Sequence, residues 1–193
     1  ARAVVRGSQR ALVVADLPFG SYEASPELAL ATSIRFFKES GVMAVKLEGA
    51  HLETVKKLVA SGIPVMGHLG LTPQSMHQLG GYRVQGRTDG DAIVEAALAL
   101  EAAGAFAIVL ELVPAELAAR ITAALQIPTV GIGAGVNCDS QVLVWTDLMG
   151  ITKKAPKLAK AYRNLRAEML AATTEFADDV RAGNFPTQAQ TFN

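Results

Sequence analysis

The chain has 193 residues, 18 basic and 18 acidic side chains, a formal net charge of zero and 50% hydrophobic residues. That length fits one domain with a real core, and the balanced charge leaves no electrostatic footprint for nucleic acid or an anionic membrane. No apolar run nears the roughly 20 residues that span a bilayer, and the first seven residues lack the apolar stretch of a signal peptide.

In chain order, residues 11–17, 43–48, 64–68, 105–111, 129–132 and, more weakly, 141–145 read as buried parallel strands. Between the first two, Ser25-Pro26-Glu27 has the form of a helix N-cap with Pro at the first helical position, and Ser40-Gly41 ends that helix. Further helices are predicted over residues 51–60, 89–103 and 114–125, the first two stopped at Gly62 and Gly104. The phrases around Gly41, Gly62 and Gly104 repeat one pattern: a helix end, a left-handed glycine and the next strand. This is β/α alternation with short connections, the pattern of a parallel sheet or barrel. Cys138 is the lone cysteine, which excludes an internal disulfide and fits a reducing, cytoplasmic setting. After Gly150 the character changes to a basic stretch, then to an amphipathic helix over residues 164–181. Leu165, Met169, Ala172, Phe176 and Val180 line one face of it, as expected of a terminal helix packed on the body or on a neighbouring subunit. The expected organisation is one domain over residues 1–193 with a helical tail from 151 to 193.

Acidic residues recur where the apolar runs end, at Asp16, Glu48 and Glu111. The C-terminal strand edge is where parallel α/β folds bind ligands, so this placement points to a metal or proton-transfer site. Asp16 precedes the strand breakers Pro18 and Gly20, and a turn or capping role is the plain alternative. Lys46 and Glu48 stand two positions apart on one strand and so share a face. They form either a structural ion pair or a site in which Glu48 lies near a cation and Lys46 near a substrate anion. His68 sits at another strand end, whereas His51 and His77 fall on helix-like segments and read as surface residues. Glu111 ends the most apolar strand, and a carboxylate among such neighbours suits proton transfer near neutral pH. No His or Cys spacing typical of zinc occurs, and Gly131-Ile132-Gly133-Ala134-Gly135 lacks the third glycine of a dinucleotide fingerprint. The Gly-bounded polar segment 80–87 suits a lid or substrate loop.

The segments ADLPFGSY (15–22), AVKLEG (44–49), GIPVMGHLGLTPQS (62–75), LGGYRVQGR (79–87), ALEAAGAFAIVLE (99–111), VPAELA (113–118), IPTVGIGAG (127–135) and NCDSQVLVW (137–145) together resemble ketopantoate hydroxymethyltransferase. The resemblance runs in order from about residue 11 to 150 and is looser from 164 onward. It implies a (β/α)8 TIM-type barrel of the phosphoenolpyruvate/pyruvate superfamily, usually a homodecamer. It also implies transfer of a hydroxymethyl group from 5,10-methylenetetrahydrofolate to 2-oxoisovalerate, a small oxo acid, in pantothenate biosynthesis. Carried onto matching positions, Glu111 is the proton acceptor, Asp16, Lys46 and His68 contact substrate, and Asp16 and Glu48 serve Mg²⁺. Hard oxygen ligands agree with that metal.

The resemblance also has departures. Family members carry two further β/α units before the segment matching Ala1, with a Gly-Asp-Ser strand end that this chain lacks, so the first two units are expected to be absent. The stretches after Arg87 and after Gly150 are shorter than usual, and Ser140 replaces a usual glycine. Three other readings stand beside the leading one: a Schiff base on Lys46, carbon–carbon lysis of a related oxo acid, and a non-catalytic remnant serving assembly.

Overall fold

A computed structural model describes residues 1–192. The chain divides into two compact units, Ala1–Val142 and Leu143–Asn193.

The first unit alternates helices and strands: α1 (Arg2–Gly7), β1 (Val14–Asp16), α2 (Pro26–Ser40), β2 (Ala44–Lys46), α3 (Leu52–Ala60), β3 (Val65–Gly70), α4 (Gly90–Ala102), β4 (Ala107–Glu111), α5 (Ala115–Ala124), β5 (Thr129–Ile132) and β6 (Ser140–Gln141). Local chemistry sets the helix boundaries. The Ser25 hydroxyl accepts the Leu28 amide N–H at 3.1 Å, Pro26 opens α2, and Gly41 closes it at φ 73°. Gly62 and Gly104 also adopt positive φ, as their repeated phrases predict.

The six strands form one parallel sheet in chain order. Its register decides what each face carries. Asp16 pairs with Lys46, Lys46 with Met66, His68 with Val109, and Gly70 with Glu111. Because side chains alternate along a strand, Asp16, Lys46, Glu48, His68 and Glu111 all fall on one face. The alternate set, Leu17, Val45, Leu47, Val65, Leu69, Ile108 and Leu110, is buried in the main apolar core. There it packs with Val55 and Leu58 of α3, Leu100 of α4 and Leu117 and Ile121 of α5. Each such side chain contributes on the order of 2 kcal/mol when fully buried.

Four predicted strands, those over residues 11–17, 43–48, 105–111 and 141–145, are shorter in the structure. The first begins at Val14, because ladder pairing with β2 starts there. The last spans only Ser140–Gln141, and Trp145 instead opens α6 (Trp145–Leu148). In the second unit, α7 (Leu165–Ala182) is capped by the Asn164 side chain and ends at left-handed Gly183. None of its residues is buried, and Met169, Leu170, Phe176 and Val180 are exposed. Among the described residues no helix is long and apolar enough to cross a membrane.

The ends of β3 and β4 meet most tightly at Gly70. It sits at φ 90°, and a Cβ there would run into the Glu111 carbonyl oxygen and the Val113 side chain. The neighbouring Leu71 N–H donates to that same carbonyl at 2.8 Å. Gly70→Ala therefore combines an unfavourable φ with overpacking and costs about 3 kcal/mol or more. Thermal unfolding of the full-length variant should show a melting temperature lower by roughly 10 °C; an unchanged transition would refute the close approach.

Candidate active site

Three strand ends, one position just past a strand and one within a strand supply the polar groups. Asp16 closes β1, Lys46 closes β2 with Glu48 just beyond it, His68 lies within β3, and Glu111 closes β4. Lys46 Nζ donates to Asp16 Oδ1 at 2.7 Å and lies 3.7 Å from Glu48 Oε1. His68 Nδ1 is 3.7 Å from the same Glu48 oxygen, and His68 Nε2 is 3.2 Å from Glu111 Oε2. The structure thus joins the five predicted residues into one chain of contacts, Asp16–Lys46–Glu48–His68–Glu111. His51 instead precedes α3 and packs edge-on against Tyr22, with ring centroids 5.5 Å apart. His77 is exposed in a turn.

Solvent access falls steeply along this chain. The Asp16 side chain is 56% exposed, Lys46 14%, Glu111 13% and Glu48 only 4%. An exposed ion pair such as Lys46–Asp16 stabilises a fold by at most about 1 kcal/mol. Burying the Glu48 carboxylate costs several kcal/mol unless its lone pairs are met. One of them is: Glu48 Oε2 accepts the Gln74 backbone N–H at 2.8 Å. The other oxygen faces Lys46 and His68 at distances beyond a hydrogen bond. His68 is buried, and neither ring nitrogen has a hydrogen-bond partner among the described residues; the Glu111 oxygen lies off the N–H direction. A buried polar atom without a partner costs about 1–3 kcal/mol, so this edge carries polar groups whose bonding the fold leaves unmet.

Leu112, immediately after Glu111, is the one non-glycine residue with positive φ, 46°, among the described residues. Its N–H donates to the Ile132 carbonyl and its own carbonyl accepts the Gln85 N–H, both at 2.9 Å. This strained turn takes the chain out of β4 at the carboxylate, and it ties the 80–87 segment to the same edge.

Tyr22 and Gln74 escaped the sequence reading. Both lie inside recognisable segments, but nothing local marks them. The Tyr22 hydroxyl donates to Gln74 Oε1 at 2.9 Å and accepts the Glu48 backbone N–H at 3.3 Å. Gln74 Nε2 donates to the Leu17 carbonyl at 2.9 Å. Burial, followed by the nearby charges of Glu23, Glu48 and Asp16, pushes the Tyr22 phenol up to about 12, although its bond to the Glu48 amide pulls the other way.

Among the described residues no group of three or more His, Cys, Asp and Glu side chains is arranged to hold a metal ion. Asp16 and Glu48 nevertheless converge on one cation, the Lys46 ammonium. Two carboxylates with the remaining positions left to water and substrate form a donor set that suits Mg²⁺.

A sequence model described as "Ketopantoate hydroxymethyltransferase" matches residues 1–188. The chain belongs to the ketopantoate hydroxymethyltransferase family. Relatives named 3-methyl-2-oxobutanoate hydroxymethyltransferase agree with this. The protein from Acidothermus cellulolyticus is 61% identical over 195 residues, with 99% of this chain and 72% of the relative covered. Those from Frankia alni and Saccharopolyspora erythraea are 60% and 58% identical, covering 96% and 99% of this chain. The chain spans only 63% and 67% of those two relatives. Among solved structures, phosphonopyruvate hydrolase superposes with TM-score 0.52 at 14% identity, covering 100% of this chain and 68% of its own. Its complex with oxalate and Mg++ gives TM-score 0.51 at 16% identity, covering 100% and 69%. These structures share the α/β fold with this family member.

A spectrophotometric titration checks the Tyr22 environment. The neutral phenol is the favoured form in the fold, so its contribution to stability is complete below pH 10 and is lost as pH rises towards 12. Tyr22→Phe should remove a phenolate absorbance step near pH 12; a full-amplitude step surviving there would contradict the buried hydrogen-bonded placement.

Proposed function

We propose that this acidic edge carries the chemistry of a 3-methyl-2-oxobutanoate hydroxymethyltransferase. The reaction moves a hydroxymethyl group from 5,10-methylenetetrahydrofolate to 3-methyl-2-oxobutanoate (2-oxoisovalerate) and yields 2-dehydropantoate. The observation that carries this reading is the convergence of two carboxylates, a lysine and an unsatisfied buried histidine at one sheet edge.

The C3 proton of a 2-oxo acid leaves only if a base stands beside it and the charge arriving on the keto oxygen is stabilised. Glu111 is that base: it projects from the end of β4, its side chain is only 13% exposed, and among the described residues no Lys or Arg pairs with its carboxylate, which lies 3.2 Å from His68 Nε2. Asp16 and Glu48 would hold Mg²⁺, which would supply Lewis-acid stabilisation of the negative charge that develops on the oxo acid. Lys46, already engaged by Asp16 and Glu48, offers its charge to the anionic end of the oxo acid rather than a free amine for a Schiff base. His68 lines the pocket between the two glutamates and presents ring nitrogens that a bound acid can meet. Water is the co-reactant: it releases the methylene carbon from the two folate nitrogens at the formaldehyde level, leaving tetrahydrofolate. The C3 carbanion adds to that carbon as its C=O π bond breaks, and the new alkoxide takes back the proton held by Glu111.

In the complete protein, further β/α units close the sheet into a (β/α)8 barrel, and the barrels assemble as a homodecamer in the cytoplasm. The family resemblance supports both features.

Exchange of the C3 hydrogen of 3-methyl-2-oxobutanoate in deuterated buffer, followed by NMR on the full-length protein, tests the assignment. Glu111→Gln should slow exchange by about 100-fold or more while oxo-acid binding stays within a few-fold of wild type. Exchange at the wild-type rate would remove Glu111 from the base role.

A further inference from the structure

We infer that Tyr22 and Gln74 are positioning residues that fix the Glu48 carboxylate so that one oxygen is locked and the other is presented to the ligand. This inference rests on the proposed cation-binding role of Glu48.

The network spans three consecutive strand ends. Tyr22 belongs to the loop after β1, Glu48 follows β2, and Gln74 lies in the 3-10 turn Pro73–Ser75 after β3. Four bonds run through them, and the Tyr22 hydroxyl serves in two, once as donor and once as acceptor. The Tyr22 hydroxyl gives its proton to Gln74 Oε1 and receives the Glu48 backbone N–H. The Gln74 side-chain N–H₂ donates to the Leu17 carbonyl, next to Asp16, and the Gln74 backbone N–H donates to Glu48 Oε2. Tyr22 is itself 2% exposed and braced by the His51 ring. Its position is therefore set by packing, and through it the position of Glu48 at both the backbone and the carboxylate.

The consequence is an asymmetric carboxylate. Oε2 has its hydrogen bond, whereas Oε1 stands 3.7 Å from both Lys46 Nζ and His68 Nδ1 and is bonded to neither. A carboxylate free to rotate would lose entropy on binding a cation; this one has already lost it. Outer groups that orient a ligand residue typically govern metal affinity by 10–100-fold on mutation. Neither Tyr22 nor Gln74 needs to touch substrate for that effect.

The test measures Mn²⁺ affinity by electron paramagnetic resonance of the free ion. It uses the full-length protein with 3-methyl-2-oxobutanoate present, for wild type, Tyr22→Phe, Gln74→Met and the double variant. Each single change should weaken Mn²⁺ binding about 10-fold or more, and the double change little further, because both act through one network. The loss should appear in kcat, with KM for the folate unchanged. Wild-type Mn²⁺ affinity in both single variants, even with lowered melting temperatures, would overturn the inference and leave the proposed function standing. A wild-type protein that binds no Mn²⁺ beside the oxo acid would overturn both. If Gln74→Met does not fold, Tyr22→Phe alone decides, since it removes only a hydroxyl.

Discussion

The unshifted parallel register of β1 to β4 is the constraint on which everything else depends. Asp16 opposite Lys46 and Gly70 opposite Glu111 put Asp16, Lys46, His68 and Glu111 on one face and Val45, Val65, Leu69, Ile108 and Leu110 on the other. A slip of one residue in any strand would drive charge into the helix-packed core and expose Leu47 or Leu110. The apolar face thus enforces the polar one. Burial of several aliphatic side chains, at about 2 kcal/mol each, far outweighs what any salt bridge here could contribute.

The polar face is a cost to the fold. Glu48 and His68 are buried with part of their hydrogen-bonding capacity unmet, and Leu112 holds a left-handed conformation at the mouth of β4. Replacing such groups with aliphatics often stabilises a protein. Their presence at the strand edge where parallel α/β folds bind ligands is what a binding and proton-transfer site requires. The tight contact at Gly70 serves the same end, holding the Glu111 backbone against β3.

Much of this was legible in the chain. Apolar runs ending in Asp16, Glu48 and Glu111 gave both the strands and the edge, because strand period and strand termination are local properties. The strand 129–132 matched in full, and glycines at 41, 62 and 104 marked the helix stops. Two kinds of feature were not legible. The weak strand at 141–145 shrank to Ser140–Gln141, since short apolar runs do not distinguish an edge strand from the start of a helix. Tyr22 and Gln74 were missed because their partners lie 52 and 26 positions away, and a long-range hydrogen bond leaves no periodicity to read.

The most direct measurement is anomalous diffraction from crystals of the full-length protein grown with Mn²⁺ and 3-methyl-2-oxobutanoate. An anomalous peak about 2.1 Å from carboxylate oxygens of Asp16 or Glu48, or one water removed from them, with the oxo acid's C3 facing Glu111, is the expected result. A peak elsewhere, or an oxo acid bound on another face of the sheet, would contradict the account.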